Sequence, residues 1–123
     1  MRAYSLTDHI HEREAGHHLS RLLADQGTTT NPGVKIAFIP AVTSWFSGIL
    51  STLSIPLDRK LTAADVVAAY EEMYKGERLV RIQREVPCLR DVEGKQGWVV
   101  GGFQVHSEGD RAVVIVRFFC SLD

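Results

Sequence analysis

VVGGFQVHSEGDRAVVIVRF, residues 99–118, is the stretch that decides the fold. Two runs rich in β-branched residues, Val99–Val105 and Ala112–Phe118, flank the polar link Ser107-Glu108-Gly109-Asp110. Such residues suit a pleated, half-buried surface, and a short glycine-containing link between them reads as a hairpin turn. A third strand is expected just upstream at Leu79–Ile82. Before it, Thr62-Ala63-Ala64-Asp65 opens a helix, with Thr62 as N-cap and Asp65 at the capping-box position. Val66, Val67, Ala69, Tyr70, Met73 and Tyr74 build that helix's apolar side, and Gly76 is a natural stop.

Further toward the N-terminus, Trp45–Leu57 reads as a longer strand, with Gly48 marking a bulge or a close backbone approach. Val34–Val42 alternates around β-formers and reads as another strand, with Pro40 at an edge or end. Asp25–Gly33 reads as a loop that breaks at Asn31-Pro32-Gly33. Ile10, Ala15, Leu19, Leu22 and Leu23 share one stripe of a helix over Ile10–Ala24, capped by Thr7 or Asp8. The order helix, strand, strand, helix, three strands predicts an α+β layer, with helices on one face of a largely antiparallel sheet.

The chain has 123 residues, 14 Lys plus Arg against 15 Asp plus Glu, and so a formal charge of −1. No strong field points toward nucleic acid or anionic lipid. With 45% hydrophobic and 24% charged residues, one domain over residues 1–123 is expected. No run approaches the ~20 apolar residues that span a bilayer. The N-terminus turns acidic and His-rich within eight residues, unlike a signal or transit peptide. There is no glycine-rich nucleotide-phosphate loop.

The densest polar cluster is His9-Ile10-His11-Glu12-Arg13-Glu14, followed by His17-His18. Imidazole beside carboxylate suits general acid/base work near neutral pH, because the carboxylate fixes the tautomer and supports the imidazolium. His11 and Glu14 are three apart and Glu14 and His18 four apart, so all three share a helix face. They also admit a metal reading, although HExxH is absent because Ala15 stands four after His11. The plain alternative is a solvated polar face. Cys88 follows Pro87 in a polar segment without a helix N-terminus to activate it, and Cys120 reads as a small buried hydrophobe. Tyr70, Tyr74, Trp45, Phe46 and Trp98 read as core or interface aromatics. Arg78, Arg81 and Arg84 form a sparse cationic row, either a phosphate contact or a solvated strand edge.

The ordered motifs resemble the N-acetyl-γ-glutamyl-phosphate reductase family in its fungal form. Tyr4, His9, His11 and Glu14 match Y-x-x-x-x-H-x-H-x-x-E. Pro40, Gly48-Ile49, Thr52 and Ile55-Pro56-Leu57 follow the next family stretch, except that Ala41 stands where His is usual. Tyr70-Glu71-Glu72-Met73-Tyr74 and Asp91-Val92-Glu93-Gly94 complete the set. The resemblance implies a domain like the C-terminal domain of glyceraldehyde-phosphate dehydrogenase. It would bind substrate and dimerise, and it would lack the Rossmann domain that holds NADP and the nucleophilic cysteine.

It further implies His9 as the acid/base residue with Glu14 as its carboxylate, and Tyr4 and His11 as substrate contacts. The reaction implied is hydride transfer to a thioacyl enzyme with phosphate as leaving group. The isolated chain is then expected to be inactive, to bind no cofactor or metal itself, and to need an NADP-binding domain and an acyl phosphate substrate. The resemblance places it in mitochondria. The family strand runs into Leu-Asp-Asn and a returning helix, whereas here Val116–Cys120 intervenes before Leu122-Asp123 and the chain stops. An uncovered apolar face, and so a homo-oligomer, is expected. The rival readings are a non-catalytic interaction or metal-binding domain using the His/Glu face, and a small enzyme using Cys88.

Overall fold

The computed structural model describes residues 1–27, 33–44 and 47–119, which fall into two compact units divided at Trp45 and Phe46. The first holds β1 (Arg2–Ala3), α1 (Ile10–Asp25) and β2 (Ala41–Val42). The two short strands pair antiparallel, Arg2 with Val42 and Ala3 with Ala41. The strand expected over Val34–Val42 is thus realised only at its last two residues. Upstream of them, the backbone is bonded by α1 side chains rather than by a neighbouring strand: Val34 N–H donates to Ser20 Oγ and Phe38 N–H to Glu12 Oε1, both at 2.7 Å. Alternating β-formers specify an extended run but not its partner.

Helix α1 forms where its periodicity predicts, yet the packed side differs from the apolar stripe. Ile10, Leu19 and Leu22 are exposed, whereas Gly16 is buried. A Cβ on Gly16 would lie 2.8 Å from the Val34 carbonyl oxygen, so the absent side chain is what lets the neighbouring segment approach.

The second unit is a four-stranded sheet of β3 (Ile49–Pro56), β4 (Val80–Ile82), β5 (Gly97–Val105) and β6 (Arg111–Phe119), ordered β3-β6-β5-β4. It carries α2 (Ala63–Met73) and the one-turn α3 (Leu89–Val92). All pairings are antiparallel except β4 with β5, which gives the expected mixed, largely antiparallel sheet. The hairpin closes as predicted, with Gly109 at φ +74 and its N–H on the His106 carbonyl at 2.8 Å. Gly48 is a close approach: its backbone is left-handed, and a Cβ would meet the Phe118 carbonyl oxygen at 3.1 Å.

The bulge in this sheet lies in β5 instead. Gly101 pairs with Ile115 but Gln104 with Val113, so one extra residue is inserted. Gly102, at φ +63, turns its N–H onto the Glu85 carbonyl at 3.1 Å. Because strand side chains alternate faces, the extra residue returns Phe103 to the side of Val100, where Tyr70 of α2 meets it edge-on at 5.2 Å. Val66, Val100, Phe103, Ala112 and Val114 form the core, and Val114 is fully buried. Thr62 and Asp65 close the predicted capping box: the Asp65 N–H reaches Thr62 Oγ1 at 3.2 Å and the Thr62 N–H reaches Asp65 Oδ2 at 2.8 Å. The Thr62 N–H, and after it the Thr62 hydroxyl that donates to the same Oδ2 at 2.7 Å, hold the Asp65 carboxyl below its usual range. Ile49, Leu50, Leu53 and Trp98 remain exposed on the sheet, in line with an apolar surface left uncovered. None of the described helices is long and apolar enough to cross a membrane.

Candidate functional site

The turn leading into α1 places the histidines. After β1, the Tyr4 N–H bonds the Pro40 carbonyl at 3.1 Å. Ser5 and Asp8 then adopt left-handed backbones, at φ +45 and +61. For a non-glycine residue this conformation costs about 1–2 kcal/mol, and such residues persist where the surroundings over-determine them. With Asp8 so turned, the N-cap is His9 rather than Thr7 or Asp8. Its backbone is extended, and its Nδ1 accepts the His11 N–H at 3.2 Å.

That bond fixes the ring's chemistry. With Nδ1 accepting, a neutral His9 keeps its proton on Nε2 and presents a donor outward. His11 is arranged the opposite way. Its Nδ1 lies 2.7 Å from Glu14 Oε2, and an ionised carboxylate only accepts, so in a neutral His11 Nδ1 bears the proton and Nε2 carries the lone pair. Donor and acceptor imidazoles stand side by side, with ring centroids 4.7 Å apart. The Phe38 ring lies 5.1 Å from His9 and 5.9 Å from His11, and Tyr4 meets His9 edge-on at 5.9 Å.

Tyr4, His9, His11 and Glu14 are therefore brought together. The carboxylate, however, is hydrogen-bonded to His11 rather than to His9, as three-residue helix spacing favours. Phe38 joins them unannounced, held through its N–H by Glu12 of the same polar cluster. The signal for that segment's approach is Glu12-x-x-x-Gly16-x-x-x-Ser20, a four-residue period that lines one helix face with an acceptor, a gap and a hydroxyl. Ser20 Oγ donates to the Gly16 carbonyl at 2.7 Å while receiving the Val34 N–H.

The remaining candidates are placed elsewhere. His18 packs against His17 at 5.7 Å, and among the described residues no three His, Cys, Asp or Glu side chains converge as a metal would require. Cys88 is the N-cap of α3, contrary to the expectation that no helix begins there. Its N–H donates to Asp91 Oδ2 at 2.7 Å, and Cys88, with Gln83 assisting, holds the Asp91 carboxyl below its usual range. Cys120, Trp45 and Phe46 lie outside the described residues. Tyr70 is a core aromatic as expected, and burial pushes its phenol up from its usual value. The Trp98 and Phe118 rings lie tilted against each other, with centroids 4.4 Å apart.

The glycine pair of β5 offers no dinucleotide cradle. A Cβ on Gly101 would meet the Glu85 carbonyl oxygen at 2.4 Å, so the space is already filled by backbone.

A family model described as semialdehyde dehydrogenase, dimerisation domain, matches residues 1–118. The chain belongs to this family. As a semialdehyde dehydrogenase dimerisation domain it has the α+β architecture that the resemblance implied. It is 41% identical over 113 residues to Protein ARG5,6, mitochondrial, of Candida albicans, covering 91% of this chain and 12% of that protein. It is 42% identical over 113 residues to Protein arg11, mitochondrial, of Schizosaccharomyces pombe, covering 92% and 11% respectively. It is also 33% identical over 112 residues to the N-acetyl-gamma-glutamyl-phosphate reductase of Stenotrophomonas maltophilia, covering 91% of this chain and 31% of the reductase. The resemblance read from Tyr4–Glu14 and the later motifs is borne out. The chain spans about a tenth of the fungal relatives' length and about a third of the bacterial reductase.

Proposed function

We propose that this dimerisation domain serves an N-acetyl-γ-glutamyl-phosphate reductase of arginine biosynthesis, supplying proton-handling groups and substrate contacts within a homo-oligomer. The observation that carries the reading is the pair of opposed imidazoles. His11, backed by Glu14, presents the lone pair that takes a proton from an incoming thiol. His9 presents the Nε2–H that meets negative charge developing on the substrate's carbonyl oxygen. Tyr4 and Phe38 wall the pair and limit where a carbonyl enters.

The NADP site and the cysteine nucleophile belong, in this reading, to a separate Rossmann domain. The chain alone is inactive, and residues 1–123 act as one functional domain. The fungal relatives' printed names support a mitochondrial location, and the bacterial one's supports the acyl phosphate substrate.

The test is a chimera in which residues 1–118 replace the matching domain of the Stenotrophomonas reductase. His9→Asn, His11→Asn and Glu14→Gln should each lower kcat, the histidines by about 10²–10⁴-fold, with NADPH affinity unchanged. A chimera that folds, binds NADPH and keeps its kcat through all three substitutions would overturn the assignment.

A further inference from the structure

The cationic row splits in the structure: Arg84 stands apart, whereas Arg78 and Arg81 meet Lys95 around a concave groove of about 160 Å³ in the sheet unit. Gly97 and Trp98 also line it. Gly97 holds φ +122, and a Cβ there would sit 2.5 Å from the Leu79 carbonyl oxygen, so the Leu79 backbone packs directly against it. Arg81 Nη2 and Lys95 Nζ both donate to one backbone carbonyl, that of Asp91, at 2.9 and 3.2 Å. A carbonyl oxygen offers two lone pairs and no net charge, so two cations held on it keep their charge and their remaining donors.

Among the described residues, none of the three cations makes an ion pair within 4.0 Å, although the Arg81 charge helps hold the Asp91 carboxyl below its usual range. The carboxylate lining the groove is that of Asp91, and its Oδ2 is engaged by the Cys88 N–H and by Gln83. Three positive charges thus face one negative one, in a chain whose net charge is −1. Like charges held together in a concavity focus a field that attracts a compact, multiply charged anion.

We propose that this groove binds a phosphate dianion, either free or carried as a monoester. Planar guanidinium groups bind phosphate oxygens in pairs and an ammonium adds a point charge, while a monoester leaves its organic part over Trp98. The groove is built from the sheet unit's own residues and does not depend on the histidine pair or on the reductase reading.

The experiment is an amide and indole NMR titration of the purified chain at constant ionic strength. It uses inorganic phosphate, adenosine monophosphate and, as the monoanion control, chloride. Saturable shifts at Gly97 and Trp98 are expected with both phosphates and not with chloride. The double variant Arg78→Gln/Lys95→Gln should bind at least tenfold more weakly, and Arg84→Gln as the unaltered chain does. A thermal melt establishes that the double variant is folded; if it is not, the two single variants take its place, each expected to lose at least threefold. Tighter binding of the nucleotide than of phosphate supports the site as one for a monoester lying over Trp98, and equal binding supports it as one for phosphate itself. Shifts that do not saturate, or a loss in Arg84→Gln equal to that in the double variant, would overturn the proposal.

Discussion

Replacing Gly16 by alanine sets two effects of similar size against each other. In an exposed helix interior the change stabilises by about 1 kcal/mol, because alanine loses less backbone freedom and glycine has the poorer helix propensity. Here the added methyl would stand 2.8 Å from the Val34 carbonyl oxygen, a backbone atom that cannot rotate away. Relief requires the segment after Gly33 to move outward by roughly half an ångström or more, since close-packed carbon and oxygen prefer contacts near 3.4 Å. That displacement stretches the Val34–Ser20 and Phe38–Glu12 bonds, each 2.7 Å long. A neutral hydrogen bond contributes about 1 kcal/mol net and one to a charged group about 1.5–3. Losing much of both outweighs the propensity gain and leaves a net destabilisation of about 1–2 kcal/mol. Urea denaturation followed by helical circular dichroism measures the sign, and amide exchange at Val34 and Phe38 locates it. Ala15→Gly on the exposed side of α1 calibrates propensity alone. A Gly16→Ala chain that is about 1 kcal/mol more stable, with Val34 and Phe38 as protected as before, would refute the close-approach argument.

Three further outcomes are expected. Val114→Ala empties two methyl groups from the fully buried centre of the core and should cost about 2–3 kcal/mol, seen as a lower urea midpoint with an unchanged slope. Asp65 has a folded-state carboxyl held below its usual value near 3.8, so its stabilisation is present above that value and lost as pH falls through the folded one. Asp65→Asn should therefore lower the melting temperature at neutral pH, and the two melts should converge in acid. A gap that persists there would assign the loss to something other than ionisation. Tyr70, pushed upward chiefly by burial, should ionise above 10 in an ultraviolet titration, and the step should vanish in Tyr70→Phe.

The parts of the fold that were legible are those whose determinants are local. The hairpin at Gly109 and the Thr62–Asp65 box need only neighbours in sequence, and both form. Val34–Val42 misled because alternation says nothing of whether N–H groups will find a strand or, as here, Ser20 and Glu12. The β5 bulge escaped notice because Gly101-Gly102 takes its meaning from carbonyls of residues 84 and 85. At the candidate site the residue types and the His11–Glu14 spacing are readable, and the capping role of His9 is not. Three-residue spacing already puts Glu14 on the face of His11, where the structure has it, whereas the family resemblance assigns it to His9.

The strand order β3-β6-β5-β4 also governs the sequence of events during synthesis. Strand β6 lies between β3 and β5, yet it follows every other described strand in the chain. The pairs that dock β3 run from Pro56–Arg111 to Ile49–Phe118, so 55 to 69 residues must emerge between partners. Until then β3 has no neighbour in the sheet, and α2 has only part of the surface it will cover. Closing so long a loop is entropically costly before any contact repays it. Strand β3 therefore joins the sheet late, when β6 leaves the ribosome, while β4, β5 and α2, and separately α1 with its stitched segment, are free to meet much earlier.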